Sequence, residues 1–362
     1  MSTSRSDWLR SAPVTATNAK ADTPLFPYLV RLVRGEDMSA AEAAKFFRVL
    51  TDQQTYPRQI AAALTALTAK GETGEELAGM ASVMRSLAIP VKRPQKAYVD
   101  IAGTGSSDAK TFNVSTAAAL VAAGAGLTVA KQSNRGVTSN SGSVEVLAEL
   151  GVKPAADPEI AHASLSGTGL CFLFAPKFHP ALRRLSEIRS SLGIRTCLNV
   201  LGLLANPAGA SRHLIGVWHP SLVEPVAQAL ALLKSDAAWV VHGEDGLDEL
   251  TLSGKTMIAT VAGGKVKGFT ISPTNFGLKP GRIDHLKAKT PKQSAQMIQD
   301  VLASRRRDEA RSLIVLNAAA ALVIGGIAKQ PMQAARLAEQ SIDSGQAQYK
   351  LERLIQATNK KS

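Results

Sequence analysis

Apolar positions recur with two different periods along this chain, and the change of period divides it. From residue 26 to residue 90 they follow the three-to-four-residue spacing of amphipathic helices. The helix starts are marked as well: Ser39 precedes "AAEAAKFF" with Glu42 three places on, and Thr73 precedes "GEELAGMA" with Glu76 three places on. Each pair reads as a capping box, in which hydroxyl and carboxylate satisfy amide groups that a helix start leaves open. Pro90 and Pro94, with "VKR" between them, then break the pattern. From residue 97 short β-like runs take over: "AYVDI", "LTVA" (127–130), "CFLF" (171–174), "LIGV" (214–217), "AAWVV" (237–241), "MIATVA" (257–262) and "KVKGFT" (265–270), separated by alanine-rich helical stretches. Such alternation argues for a mostly parallel central sheet covered by helices. The expected fold class is α/β: a small N-terminal helical domain over 26–92 and a larger α/β domain over 93–355, with a segment near 158–192 able to pack with the helical one. Residues 1–25 read as a disordered tail, and no internal repeat has a fixed period.

Composition narrows the class. With 362 residues, 45% of them hydrophobic, the chain is long enough to bury a full core. Cys171 and Cys197 are the only cysteines and each sits in an apolar segment, so neither a disulfide framework nor a cysteine metal site is indicated. A reducing cytoplasm fits. The first residues lack the apolar core of a signal peptide, and no later stretch is long and apolar enough to span a bilayer. The formal charge of +13 favours anionic partners, phosphorylated metabolites or nucleic acid. Its clusters, "LKPGRIDHLKAKTPK" (278–292), "RRRDEAR" (305–311) and "KLERLIQATNKK" (350–361), carry no interleaved aromatics for stacking bases, so they read first as solvated faces.

Three polar loops follow strands. In "DIAGTGSSDAKTFNVST" (100–116) the Gly103–Gly105 turn leads from a strand into a helix start. Glycines let backbone amides approach an anion, and the helix N-terminus adds donors and partial positive charge. The loop is neither a dinucleotide fingerprint, since Asp108 replaces a needed glycine, nor a Walker A loop, since no Gly-Lys-Ser/Thr follows. Thr111, Asn113, Ser115 and Thr116 reach phosphate or metal, or simply cap the helix. In "KQSNRGVTSNSGS" (131–143), Lys131 and Arg135 carry charge among Asn134, Ser139, Ser141 and Ser143. In "HGEDGLDEL" (242–250), Asp248 and Glu249 stand together with Glu244 and Asp245 upstream. Carboxylates beside a phosphate cradle suit Mg²⁺, which takes one or two carboxylates plus phosphate oxygens; an acidic turn is the plainer alternative.

Together these motifs resemble the anthranilate phosphoribosyltransferase family, whose loops read Gly-Thr-Gly-Gly-Asp, Thr-Phe-Asn-(Ile/Val)-Ser-Thr, Lys-His-Gly-Asn-Arg and Gly-(Leu/Met)-Asp-Glu. The likeness extends to "CFLFAPKFHP" (171–180), "EIRSSLGIRTCLNVLGLLANP" (187–207) and "LNAAAALV" (316–323), nearly all of 30–350. The resemblance implies a cleft between the two domains, a homodimer through the helical domain, and transfer of the 5-phosphoribosyl group of phosphoribosyl pyrophosphate (PRPP) to anthranilate in tryptophan biosynthesis. It implies donor contacts from Gly103, Ser106, Ser107, Thr111, Asn113, Val114, Ser115, Thr116, Lys131, Arg135 and Ser139. It places Gly103, Asn134, Pro176, His179 and Arg189 on the acceptor side, with Arg189 on the anthranilate carboxylate. Ser115, Asp248 and Glu249 become Mg²⁺ ligands, and no acid or base catalyst is assigned.

The chain departs from the family at Ser106-Ser107 (for Gly-Asp), Gln132-Ser133 (for His-Gly) and Leu203 (for proline). Ser106 adds a Cβ where backbone should approach a ligand, and Ser107 removes an anion. Metal and most donor contacts survive, while the acceptor side is altered. Two other readings stay open: a phosphoribosyltransferase or phosphorylase acting on another nitrogen acceptor, and a nucleic-acid-binding relative, against which the retained "TFNVST" and "LDEL" argue.

Overall fold

The computed structural model describes residues 24–92, 97–105, 109, 111–134, 142–153 and 157–359. Four helices come first: α1 (Phe26–Val33), α2 (Ala40–Thr51), α3 (Pro57–Lys70) and α4 (Gly74–Ser86). Then follow β1 (Val99–Gly103), α5 (Val114–Gly124), β2 (Val129–Ser133), α6 (Ser143–Glu149), α7 (Pro158–Thr168) and β3 (Leu170–Phe174). The chain continues through α8 (Ala175–Phe178), α9 (Arg183–Leu192), α10 (Leu198–Leu204), β4 (Arg212–Gly216), α11 (Val223–Leu232) and β5 (Ala237–Gly243). It closes with β6 (Thr256–Ala262), β7 (Lys265–Ile271), α12 (Pro291–Leu302), α13 (Glu309–Ile324), α14 (Pro331–Asp343) and α15 (Gln346–Asn359). All seven β-like runs form strands.

Both capping boxes form, at Ser39 with Glu42 and at Thr73 with Glu76. Glu76 does more than close its own helix. It is fully buried, accepts the Met38 amide at 3.0 Å and pairs with the Lys70 ammonium at 2.9 Å, so one carboxylate ties together the start of α2, the end of α3 and the start of α4. A buried charge is tolerated there because partners surround it.

The strands make one sheet in the order β3-β2-β1-β4-β5-β6-β7. The first five are parallel, and β6 and β7 extend the sheet antiparallel from β5. One face is covered by α5, α13 and α15, where the small side chains of "TAAALVAA" and "NAAAALV" let helices lie close. On the other face α11 lies between the sheet and α4, and Phe46, Phe47, Leu64, Leu67, Leu201 and Leu230 share one core. Within 158–192, α7 packs on β3 and α15, whereas α9 packs on α2 and α3 and contributes Leu185 to the helical core. Helical bundle and sheet are therefore continuous in their apolar packing.

Candidate active site

The sheet reverses its winding between β1 and β4, since from β1 the chain proceeds outward to β2 and β3, and from β4 to β5. Parallel α/β sheets bind ligands at such a switch point, beyond the carboxyl ends of the strands. Here those ends are Gly103 and Gly216, paired in register. The segment after β5 drops Asp248 and Glu249 onto them. A Cβ at Gly216 would lie 1.6 Å from the Asp248 carbonyl oxygen, and one at Gly103 would lie 2.9 Å from Asp248 Oδ2, so both glycines make room for this acidic pair. Asp248 Oδ2 in turn accepts the Thr104 hydroxyl at 2.9 Å and the Gly105 amide at 2.7 Å, clamping the glycine turn, in which Gly105 has φ +65°.

Facing this pair is the start of α5. Ser115 and Thr116 lie inside the helix, Asn113 is the N-cap residue, and no side-chain cap bond forms there. The simple capping reading of Ser115 and Thr116 is thus not what their geometry expresses. The Ser115 amide donates to Glu249 Oε1 at 3.0 Å, a placement that the helix dipole favours for a carboxylate. Thr116 is buried, with a hydroxyl that has no partner among the described residues. Val114 begins the helix and is fully buried, and the Thr111 hydroxyl bonds to the Phe112 carbonyl at 3.1 Å.

Lys131, on β2, reaches between the two. Its buried ammonium donates to the Ile101 carbonyl at 2.5 Å and to Ser115 Oγ at 3.2 Å. Beneath it lies Asp100, wholly buried, accepting from Asn206 Nδ2 at 2.7 Å and from the Gln132 amide at 3.0 Å. One ammonium thus acts on three carboxylates, those of Asp100, Asp248 and Glu249. Burial, and then the neighbouring Asp248 charge, push the Glu249 carboxyl well above the usual carboxylate range, against the Ser115 amide and Lys131. Burial likewise raises Asp100 and lowers Lys131. Glu249 Oε2 is buried with no hydrogen-bond partner among the described residues. An excess of carboxylate and an orphaned oxygen beside Ser115 Oγ form an all-oxygen donor set that suits a hard divalent cation.

The other expected residues divide. Asn134 and Pro176 follow the paired ends of β2 and β3, so they sit on the same carboxyl-end rim as Gly103. His179 is buried against the Ala205 backbone, and burial lowers it to about 4, so it is neutral at neutral pH. Arg189, on α9, is half-buried, with its Nε unpartnered among the described residues and its basicity lowered by burial. The two substituted positions after Lys131 are both buried, and Gln132 Oε1 and Ser133 Oγ have no partner among the described residues. Glu244 and Asp245 serve their own turn: Glu244 accepts the Lys255 amide, and Asp245 accepts the Thr251 hydroxyl and the Leu247 amide. Ser106, Ser107, Asp108, Arg135, Ser139 and Ser141 lie outside the described residues.

Comparison with known proteins gives this arrangement a context. Residues 26–88 match the model of the glycosyl transferase family helical bundle domain, and residues 95–348 match that of the same family's a/b domain. The anthranilate phosphoribosyltransferase of Phenylobacterium zucineum (strain HLK1) is 44% identical over 332 residues, covering 92% of this chain and 98% of that one. The chain belongs to the anthranilate phosphoribosyltransferase family. The Moorella thermoacetica member (strain ATCC 39073 / JCM 9320) is 43% identical, across 90% of this chain and 96% of its own. Among solved members, the Thermus thermophilus crystal structure superposes with a TM-score of 0.86 at 35% identity, covering 92% of this chain and 99% of that one. A Saccharomyces cerevisiae member solved in complex with PRPP and Mg has a TM-score of 0.83 at 28% identity, covering 94% and 98% respectively.

For a member of the anthranilate phosphoribosyltransferase family, the sequence motifs named the first layer of side chains and missed what holds them. Asp100, Thr104 and Asn206 lie inside the quoted motifs and Gly216 inside a strand run, yet the motifs assign none of them a role. Asp100 is the first residue of the 100–116 stretch, and a carboxylate inside a buried strand is itself a signal, since burial demands partners.

Proposed function

We propose that this protein transfers the 5-phosphoribosyl group from PRPP to anthranilate with release of pyrophosphate, a step of tryptophan biosynthesis, with Mg²⁺ as cofactor. The observation that carries the proposal is the convergence of Ser115, Lys131, Asp248 and Glu249 at the sheet's switch point, with Glu249 Oε2 left unpartnered among the described residues. Substitution at the ribose C1 develops positive charge on the sugar and negative charge on the leaving group, so the protein's part is positioning and electrostatics. Thr111, Asn113, Val114, Ser115 and Thr116 hold the donor's phosphates at a helix start, and Gly103 lets them approach. Ser106, Ser107, Arg135 and Ser139 complete that cradle from the two loops. Lys131 offsets the anionic charge from within. Ser115, Asp248 and Glu249 would hold Mg²⁺, which supplies positive charge beside the pyrophosphate when bound.

On the acceptor side, Arg189 pairs with the anthranilate carboxylate, Asn134 orients the ring's amine toward C1, and Pro176 and the neutral His179 wall the channel. A second copy of the chain joins through the helical domain. Two free, buried cysteines suit a cytoplasmic protein, and among the described residues no helix is long and apolar enough to cross a membrane. The test is fluorescence: purified protein with Mg²⁺ and PRPP is expected to consume anthranilate, more slowly than relatives with Gly-Asp in place of Ser106-Ser107. Anthranilate untouched while another amine or a nucleobase is phosphoribosylated would leave the reaction class and remove the acceptor. Tight duplex binding that competes with PRPP would favour the nucleic-acid reading.

A further inference from the structure

Ser294, on the first turns of α12, is fully buried and belongs to no motif. Its amide makes the ordinary helical bond to the Thr290 carbonyl at 3.1 Å, so α12 does not need its hydroxyl. That hydroxyl reaches a residue 181 positions earlier in the chain: Ser294 Oγ accepts the Asn113 backbone N–H at 2.9 Å and donates to Asn113 Oδ1 at 2.9 Å.

This double contact explains why Asn113, in the N-cap position of α5, makes no cap bond. An N-cap asparagine ordinarily turns its carbonyl oxygen onto the amide two or three residues ahead. Here Oδ1 is taken by Ser294, and the amide two residues ahead, that of Ser115, is taken by Glu249. The flip state of the carboxamide follows from the same matching of donors to acceptors. A serine hydroxyl without exposure needs an acceptor for its proton, and Oδ1 is the acceptor it meets; turning the amide over would break that bond and set the Nδ2 donors against the hydroxyl. The oxygen and nitrogen of a carboxamide point in different directions, so Oδ1 held against α12 turns the Nδ2 hydrogens away from it.

We propose that Ser294 is a positioning residue for the donor site: it fixes Asn113 so that amide donors, and not a carbonyl oxygen, are presented to the anionic donor. The inference rests on the proposed role of Asn113 in binding PRPP. The wrong flip would offer a negative dipole to phosphate.

The experiment is steady-state kinetics on Ser294→Ala, Asn113→Ala and their double variant, with thermal unfolding measured on each. Ser294→Ala is expected to raise the KM for PRPP about tenfold, the worth of one buried hydrogen bond. The turnover at saturating PRPP and the KM for anthranilate stay within about twofold. In the Asn113→Ala background the same change should add nothing to the PRPP KM, because the group it positions is gone. Asn113→Asp, which keeps the acceptor and loses the donors, should impair PRPP binding at least as much as Asn113→Ala. Where Ser294→Ala lowers the unfolding temperature enough to obscure kinetics, Ser294→Cys fills the space with a weak donor and should show the same KM effect. An unchanged PRPP KM in Ser294→Ala while Asn113→Ala raises it, or a full additive effect in the double variant, overturns the inference. An unchanged PRPP KM in Asn113→Ala overturns the donor-site assignment beneath it.

Discussion

Lys131→Met removes the ammonium that lies buried among Asp100, Asp248 and Glu249 while keeping a side chain of similar length. In the native protein that ammonium donates to the Ile101 carbonyl and Ser115 Oγ. Two hydrogen bonds are worth about 1 kcal/mol each net. Removing one partner from a buried charge cluster costs about 3–5 kcal/mol in all, because the charges left behind keep their desolvation penalty. The raised carboxyls of Asp100 and Glu249 limit the loss, since either can take up a proton instead. The lower end of the range, about 3 kcal/mol near pH 7.5, is therefore expected in urea unfolding, with an unchanged denaturant slope. The pH dependence is a sharper signature. Without Lys131 the folded carboxyls rise further, so the folded state of the variant binds more protons than its unfolded state at neutral pH, and its stability falls as pH rises. The deficit relative to the parent should shrink as the pH is lowered from about 8 to about 6. A deficit below about 1 kcal/mol, or one independent of pH, would refute the electrostatic account of this cluster.

Gly216→Ala puts a Cβ 1.6 Å from the Asp248 carbonyl oxygen, a main-chain atom that cannot rotate aside. It should cost about 2 kcal/mol or more in urea unfolding and abolish phosphoribosyl transfer, whereas Gly167→Ala, on α7 with open space around it, should be neutral or stabilise. His213 and His179 are buried neutral, with burial lowering them from 6.5 to about 3 and about 4. As pH falls through 6.5 the unfolded chain takes up protons that the folded chain refuses, so each contribution is fully present above 6.5 and is lost toward its folded value. Each should cost about 2 kcal/mol between about pH 6.5 and 5, and His213→Gln should remove about half of that slope in unfolding measured against pH.

The elements were legible because their signals are local. Capping boxes, strand runs and proline breaks each span a few residues, and the loops of the site are marked by their glycines and by the strand that precedes each. What was not legible crosses the chain. Asn206 meets Asp100 from 106 positions away, Asp248 meets Thr104 from 144, and Ser294 meets Asn113 from 181. No local pattern encodes such pairs. Glu244 and Asp245 show the converse error: beside Asp248 and Glu249 in sequence they look like part of one acidic site, yet the tight turn after β5 commits them to its own amides and hydroxyls. Likewise the antiparallel β6–β7 extension repeats the apolar content of the parallel strands, so its direction is set by pairing with β5 and not by composition.

The central claim, that Ser115, Asp248 and Glu249 hold Mg²⁺ with PRPP against the start of α5, is tested most directly by calorimetric titration of PRPP into the protein with and without Mg²⁺, in the parent and in Glu249→Gln. The account predicts Mg²⁺-dependent binding in the parent and at least about tenfold weaker binding in the variant, which keeps the shape of the site and loses one anionic metal ligand. Equal PRPP affinity in parent and variant, or no binding to folded parent protein with Mg²⁺ present, would contradict it.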